Sequence, residues 1–119
     1  MKEPGPSHPI VIERSRLRVR VSFAGKQIAD TRRALILMEA GYEPVHYIPR
    51  ADADMAALEA AAHRTYCPYK GDASYFTIRV NGRSSENAVW SYEQPYPAVA
   101  EIGGYLCFYR NRVDAIEEA

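Results

Sequence analysis

Short stretches in which apolar and polar residues alternate recur along the chain. In residues 16–23 every second residue is apolar, and the residues between them are arginines and a serine. This period of two predicts a strand with one buried face. The segment Ala24-Gly25-Lys26 supplies turn residues, so the pattern predicts a hairpin whose second strand runs through residues 27–30.

The same alternation returns in residues 74–80, where Phe76, Ile78 and Val80 share one face. Asn81-Gly82 follows directly. This dipeptide favours the tight hairpin turn that needs a positive φ at both central residues. The sequence therefore predicts a second hairpin with a return strand near residues 87–92.

Two further segments predict strands. Residues 34–38 are apolar throughout and precede Gly41 and Pro44, which favours a short strand buried on both faces. Residues 45–48 are predicted as another short strand, between Pro44 and Pro49. Since proline cannot donate to a sheet ladder, this strand is expected at a sheet edge.

Helical signals are confined to two places. Residues 52–62 begin with an aspartate, carry acids near the start and are rich in alanine, which predicts the main helix. Pro97 and the pair Gly103-Gly104 predict one or two helical turns between them, before a strand over residues 105–109. The whole pattern predicts an antiparallel, mainly β fold of six to eight short strands with one or two short helices.

Composition and charge narrow the class of protein. The chain has 119 residues, which suits one domain, and its 15 basic residues balance 15 acidic ones. No overall field therefore favours binding to nucleic acid or to an anionic membrane. Residues 1–7 are predicted to be a flexible segment and residues 8–119 a single domain.

Targeting and redox signals predict a cytoplasmic protein. No apolar run approaches the roughly 18 residues of a membrane span, and the proline-containing start is typical of neither a signal peptide nor an anchor. Two cysteines, Cys67 and Cys107, are too few for a disulfide framework, and their spacing fits no zinc finger. We expect free thiols, no metal and no cofactor, and the sequence leaves open a monomer or a homodimer.

The segment 65–71 carries the main candidate for chemistry. Cys67 lies three residues before Lys70, in a loop that contains Pro68 and ends in Gly71. A nearby ammonium favours a thiolate, so Cys67 is the candidate nucleophile and Lys70 its charge partner. The alternative is structural, since cysteine is often buried and Lys70 would then point into water. His63 would share a helix face with Cys67 if the predicted helix continued.

Other catalytic patterns are weaker. Asp52 and Asp54 resemble a carboxylate pair that could hold magnesium, but no glycine-rich phosphate loop accompanies them, so we interpret them mainly as helix caps. The serine-hydrolase elbow, the Walker loop and the dinucleotide fingerprint are absent. The arginines of residues 16–20 are interpreted as a solvated face rather than an anion site.

Nine tyrosines and one tryptophan are a heavy aromatic load. Several lie on strand faces opposite the aliphatic residues, which favours a cleft with aromatic walls and polar tips, typical of a small-ligand pocket. The residues predicted to line it are Tyr69, Tyr75, Trp90, Tyr92 and Tyr105. The pattern favours at least equally the alternative that these residues form a second layer of the core, with their hydroxyls hydrogen-bonded.

Six short segments carry a resemblance to a known family. They are His8-Pro9-Ile10, residues 33–39, Tyr47-Ile48-Pro49, residues 65–71, Trp90-Ser91-Tyr92 and residues 102–109. Together they resemble an uncharacterised bacterial family catalogued as domain of unknown function 427. The order Cys-Pro-Tyr-Lys-Gly is the most specific of these features, and the resemblance spans nearly the whole chain.

The resemblance implies a β-tent architecture, in which two antiparallel sheets lean together over a groove, as in methionine sulfoxide reductases and zinc-binding chaperone-like domains. Those proteins often hold zinc through two Cys-x-x-Cys pairs, which this sequence lacks, so neither their metal nor their activity is expected here. A nucleotidyltransferase label attached to the family finds support only in Asp52 and Asp54. The resemblance implies that the groove residues are Glu39, Tyr47, Cys67, Tyr69, Lys70, Tyr75 and Trp90.

Two functions follow as expectations. The first is a small-molecule-binding domain with a groove around residues 65–71, in which Cys67 and Lys70 would be the catalytic residues of an enzyme. The second is a non-catalytic protein-interaction or structural module.

Overall fold

Ten β-strands form three antiparallel sheets in the computed structural model, which describes residues 1–119. The first sheet contains, in spatial order, β1 (Ile10–Arg14), β4 (Leu35–Glu39) and β5 (Val45–Tyr47). The second contains β10 (Ala115–Glu118), β2 (Val19–Phe23) and β3 (Lys26–Thr31). The third contains β6 (Leu58–Cys67), β7 (Gly71–Val80), β8 (Arg83–Ser91) and β9 (Cys107–Phe108).

The prediction of a mainly β, antiparallel fold is confirmed, but the strands divide into three sheets rather than two. The division arises between β1 and β2. Ser15 N–H still donates to Ala34 O at 2.9 Å, and the chain then bends at Leu17 and enters a different sheet. The strands before and after this bend therefore pair in two different sheets instead of continuing in one.

Both predicted hairpins are present. Ala24 and Gly25 have φ of 51° and 78°, and Asn81 and Gly82 have φ of 52° and 77°, as the tight two-residue turn requires. The first hairpin buries alternate residues of β2, as its period of two predicts. The strand begins at Val19 rather than at residue 16, because Ser15 still pairs with Ala34 beside the first sheet and the chain bends at Leu17.

The segments 34–38 and 45–48, which were predicted as strands, form β4 and β5. The edge position predicted for β5 is confirmed. The prediction that β4 is buried on both faces is wrong, because Leu37 alone among its five residues is fully buried. The strand is central in its sheet but that sheet covers the core with one face only.

The predicted helix over residues 52–62 is wrong. Single 3-10 turns lie at Arg50–Asp52 and Met55–Ala57, and the chain then enters β6, which pairs along its length with β7. A helix here would leave the edge of β7 without a hydrogen-bonded partner, so sheet pairing overrides the helical propensity of the alanines. The interpretation of the two aspartates as caps is correct for Asp54, whose side chain accepts from Ala56 N–H. It is wrong for Asp52, which accepts from Thr31 Oγ1 and Arg33 instead.

Short turns account for the remaining helical structure. The predicted turns after Tyr96 are confirmed as 3-10 structure over Pro97–Ile102, and a last one lies at Arg110–Arg112. The predicted strand over residues 105–109 shortens to β9. None of these helical segments has the length and apolar character needed to cross a bilayer.

The buried residues form two clusters. The larger, of 14 residues, joins the second sheet to the third and centres on Val21, Ile78 and Val89. The smaller, of 8 residues, lies under the first sheet and contains Tyr47 and Tyr75. The smaller cluster includes three tyrosines, whose hydroxyls add polar groups to it, and several of its residues line a cavity of about 950 Å³.

Candidate functional site

A cavity of about 950 Å³ opens where the three sheets meet. Its walls come from β2 and β10, from β4 and β5, and from the inner ends of β7, β8 and β9. Seventeen of its 24 lining residues are hydrophobic. The cavity is therefore a mainly apolar hollow between sheets, with few polar groups to orient a bound molecule.

The structure brings together six of the seven residues expected in the groove. They are Glu39, Tyr47, Cys67, Lys70, Tyr75 and Trp90, and Tyr92 lies with them. Tyr69 does not line the cavity, because its ring stacks on His8 at a centroid distance of 3.9 Å. Tyr105 lines a separate, smaller hollow beside Arg33 and Pro49.

An ion pair in the wall is the main polar feature of the cavity. Lys70 Nζ lies 2.5 Å from Glu39 Oε1, and the two side chains are 10% and 9% exposed. His8 Nε2 contacts the other carboxylate oxygen at 2.6 Å. Burial by itself raises the pKa of Glu39, but the hydrogen bonds from Lys70 and His8 outweigh it, so the net shift is downward. Glu39 is therefore ionised at neutral pH.

The turn between β6 and β7 positions Lys70. Lys70 N–H donates to Cys67 O at 3.2 Å, which closes the turn, and Gly71 follows with a φ of +108° that favours glycine. Tyr96 N–H donates to Lys70 O at 3.0 Å from the neighbouring loop. The segment 67–71 is thus fixed from both sides, and the ammonium is directed to the end of β4.

Cys67 lines the cavity and is partly buried among the residues of the smaller cluster. The ammonium of Lys70 is already paired with Glu39, so its charge is compensated. This pairing weakens the electrostatic activation of Cys67 that the sequence suggested. Cys107, in contrast, is 1% exposed, and burial raises the pKa of its thiol well above the usual value.

The aromatic residues serve both as cavity wall and as core. Trp90 Nε1–H donates to the Tyr47 hydroxyl at 3.1 Å. The Tyr75 hydroxyl lies 2.9 Å from Thr65 Oγ1 and 3.4 Å from the Tyr109 hydroxyl. Tyr47, Tyr75, Trp90 and Tyr109 therefore line the cavity and are hydrogen-bonded to one another or to Thr65, so for these residues the cleft and the second core layer are not alternatives.

The weaker candidates are engaged elsewhere. Asp52 accepts from Thr31 Oγ1 and Arg33, and Asp54 pairs with Lys26. His63 lies on β6, where four residues of extended chain separate it from Cys67 by roughly 13 Å. No cluster of three or more His, Cys, Asp or Glu side chains has the arrangement needed to hold a metal ion.

Sequence reasoning missed His8 as a partner of Glu39, and it missed a polar group at the opposite end of the cavity. That second group contains His46, Arg110 and Glu118, and Ser15 lies against His46. No local pattern marks either set. The signal lies in strand pairing, which places Glu39 opposite Ile10 at the start of β1 and so brings His8 close.

The sequence of the chain also matches a known protein family. The family described as a domain of unknown function, DUF427, matches residues 11–119. The chain belongs to this family. The DUF427 match confirms the resemblance and contains both ends of the cavity, although His8 lies just before it. No curated protein matches the chain.

Proposed function

We propose that this DUF427 domain binds a small molecule in the cavity between its sheets, with the ion pair of Glu39 and Lys70 as the polar anchor. The observation that carries the proposal is a nearly buried ion pair in the wall of a mainly apolar hollow. A volume of about 950 Å³ lies within the usual range of ligand sites. Mainly apolar walls with a few convergent polar groups are typical of such sites.

The chemistry of the wall defines the class of ligand. Lys70 has three N–H donors and spends one on Glu39, so its other donors can bind an acceptor on the ligand. Trp90 and Tyr92 offer aromatic surface close by, and the Lys70 ammonium lies 6.0 Å from the Tyr92 ring centroid. We therefore propose a ligand with an apolar or aromatic body and one carboxylate, sulfonate or carbonyl group.

A fluorescence titration tests the proposal. The probe is anilinonaphthalene sulfonate, which combines an aromatic body with one anionic group. Trp90 is the single tryptophan of the chain and lines the cavity, so energy transfer from it reports binding at this position. We expect saturable binding by the folded protein, weakened at least about tenfold in Lys70→Met, which corresponds to one hydrogen bond to a charged group.

Lys26→Met is the matched control. Lys26 also forms an ion pair, with its Nζ 2.8 Å from Asp54, but it lies outside the cavity. Equal affinities of Lys70→Met and wild type, with both chains folded by circular dichroism, would contradict the assignment of Lys70. A failure of Trp90 to transfer energy to bound probe would contradict the assignment of the cavity.

Catalysis by Cys67 is a further part of the proposal, and alkylation measures it. Cys107 is buried, so it serves as an internal control in the same molecule. We expect iodoacetamide to modify Cys67 first and Cys107 only after unfolding. A nucleophilic role requires Cys67 to react faster in the folded protein than in a denatured sample. An equal or slower rate would leave the thiol a structural role.

A second candidate function is a protein-interaction module, favoured by the edge strand β6. This strand has ten residues, seven of them exposed, and one side of its backbone faces no other strand. Such an edge can accept a strand from a partner. Ala62 is an exposed residue of β6 that has no partner in β7, so replacing it by proline should hinder strand addition from outside. Loss of a partner with unchanged probe binding would favour this function.

A further inference from the structure

Three side chains lie in a row beside the polar group of the cavity that contains His46, and one hydrogen bond and one close charged contact connect them. Ser15 Oγ lies 3.2 Å from His46 Nε2, and His46 Nδ1 lies 3.5 Å from Glu118 Oε1. His46 and Glu118 both line the cavity. The order of the atoms, hydroxyl to Nε2 and Nδ1 to carboxylate, is that of a serine nucleophile with its base and orienting acid.

Three separate parts of the fold position these groups. Ser15 follows the last residue of β1, His46 is the middle residue of β5, and Glu118 ends β10. Leu17 N–H donates to Ser15 Oγ at 3.2 Å and so fixes the oxygen. Arg110 forms an ion pair with Glu118 and holds its carboxylate. The imidazole is thus oriented from both nitrogens.

The surroundings keep the imidazole neutral. The side chain of His46 is 9% exposed, and this burial lowers its pKa; Glu118 acts in the opposite direction and Arg110 in the same direction. The net shift is downward, so at neutral pH one nitrogen carries no proton. In the tautomer that carries its proton on Nδ1, the nitrogen nearer Glu118, the lone pair of Nε2 faces the Ser15 hydroxyl at 3.2 Å and can accept its proton.

We propose that Ser15, His46 and Glu118 form a nucleophilic triad that cleaves carboxylic esters of small, mainly apolar acids. Ser15 Oγ attacks the carbonyl carbon while its proton passes to His46 Nε2, and the bond to the alcohol oxygen breaks as that oxygen takes the proton. Water then attacks the acyl-serine, again with His46 as base, and releases the acid. The proposal rests on the proposed function to the extent that the apolar wall holds the acyl group.

A purely structural role would use the same contacts. Ser15, His46 and Glu118 join the first and second sheets, so they would also act as a clamp between strands. Ser15 is 9% exposed and does not itself line the cavity, whereas its hydrogen-bond partner His46 and Leu17 do. The experiment must therefore measure the nucleophilic reactivity of Ser15 rather than the stability of the protein.

Labelling by a fluorophosphonate gives that reading on the wild-type chain. The reagent phosphonylates an activated serine, with formation of an O–P bond and loss of fluoride. We expect the label on Ser15, located by mass spectrometry of the proteolysed chain, and a loss of at least about 100-fold in labelling rate in His46→Gln. The matched control is His63→Gln, an exposed histidine of β6, which we expect to label at the wild-type rate.

Hydrolysis of p-nitrophenyl butyrate gives the second reading. We expect Ser15→Ala to lose at least about 100-fold in rate, whereas Ser85→Ala, at a hydrogen-bonded serine outside the cavity, keeps the rate. Glu118→Gln acts through His46, so it should lower the rate and shift its pH profile, with the chain still folded.

The possible outcomes separate the two proposals. Label on no residue or on serines other than Ser15, or hydrolysis by Ser15→Ala at the wild-type rate, would overturn the triad. Neither result would alter the binding of anilinonaphthalene sulfonate near Lys70. Conversely, loss of probe binding with Ser15 still labelled would remove the proposed ligand site and leave the nucleophile.

Discussion

Replacement of Lys70 by methionine tests whether the Glu39–Lys70 pair is as buried as the structure indicates. Methionine keeps the apolar stem and removes the ammonium, so Glu39 is left with His8 as its partner. At 2.5 Å and an effective dielectric constant near 20, the gross attraction lost is about 7 kcal/mol. Much of this is offset by the desolvation that the ammonium no longer suffers.

Proton uptake sets an upper limit on the cost. A carboxyl group with a pKa of 4.5 in the unfolded chain takes up a proton at pH 7 at a cost of about 3.4 kcal/mol. In the variant, Glu39 can take up a proton and become neutral, so the cost of leaving its charge unpaired does not exceed this value. With the remaining hydrogen bond from His8, we expect Lys70→Met to lose about 2–3 kcal/mol of unfolding free energy at pH 7.

Urea denaturation followed by Trp90 fluorescence measures the loss. Glu39 has a pKa lowered by folding, so its stabilising contribution is full above about 4.5 and is lost as the pH falls through the folded-state pKa. The gap between wild type and Lys70→Met should therefore narrow below pH 4.5. The exposed pair of Lys26 and Asp54 provides the control, with a loss under about 1 kcal/mol for Lys26→Met. Equal losses in the two variants, or a gap that does not change with pH, would refute the reasoning.

Three further predictions concern the fold. Gly82→Ala should cost about 1–2 kcal/mol in thermal denaturation because Gly82 has a φ of +77°, whereas Gly5→Ala should be nearly neutral; equal effects would contradict the turn. Ile78→Ala should cost about 2–5 kcal/mol by urea denaturation because Ile78 is fully buried, and Val11→Ala, at an exposed position, less than about 0.5 kcal/mol. His46 has a pKa lowered from 6.5 by burial, so wild-type stability should fall as the pH drops below about 6.5, and His46→Gln should lack this part of the fall; parallel pH curves would count against a buried neutral imidazole.

The hairpins show where local sequence is sufficient. Asn81-Gly82 favours the positive φ angles that its turn requires, and Gly25 supplies one of the two in the first hairpin. Each hairpin is in register from its turn to a bulge, at residues 21–22 in the first and at residues 76–78 in the second. Proline at residues 44 and 49 excludes a central position in the same direct way. In each case the deciding energy lies within a few residues of the chain.

Residues 58–67 show a segment whose structure the local sequence is not sufficient to predict. Their alanines and the preceding aspartates favour a helix locally, yet Leu58 pairs with Ile78 and Cys67 with Gly71 in a ladder that is interrupted only at residues 62–63. The free energy of pairing an exposed sheet edge comes from a partner elsewhere in the chain, and propensity is too weak to oppose it. The missed strands β1 and β10 also depend on distant partners, β4 and β2.

The candidate site divides in the same manner. Aromatic residues and Cys67 could be expected in a groove because residue type and the family resemblance indicated them. The ion pair between Lys70 and Glu39 could not be expected from the sequence. Glu39 lies 31 residues from Lys70 and becomes its neighbour only because β4 ends beside the turn after β6. Ser15, His46 and Glu118 come from three strands or their ends, so no spacing in the sequence records them.

The sequence by itself determined the strand class, the two tight turns and the edge strand, because alternation, glycine and proline act over a few neighbouring residues. Only the tertiary structure decided that residues 58–67 form a strand, that the strands divide among three sheets, and which charged groups meet at the two ends of the cavity. Those outcomes depend on contacts between residues far apart in the chain, and their free energy exists only once the sheets have come together.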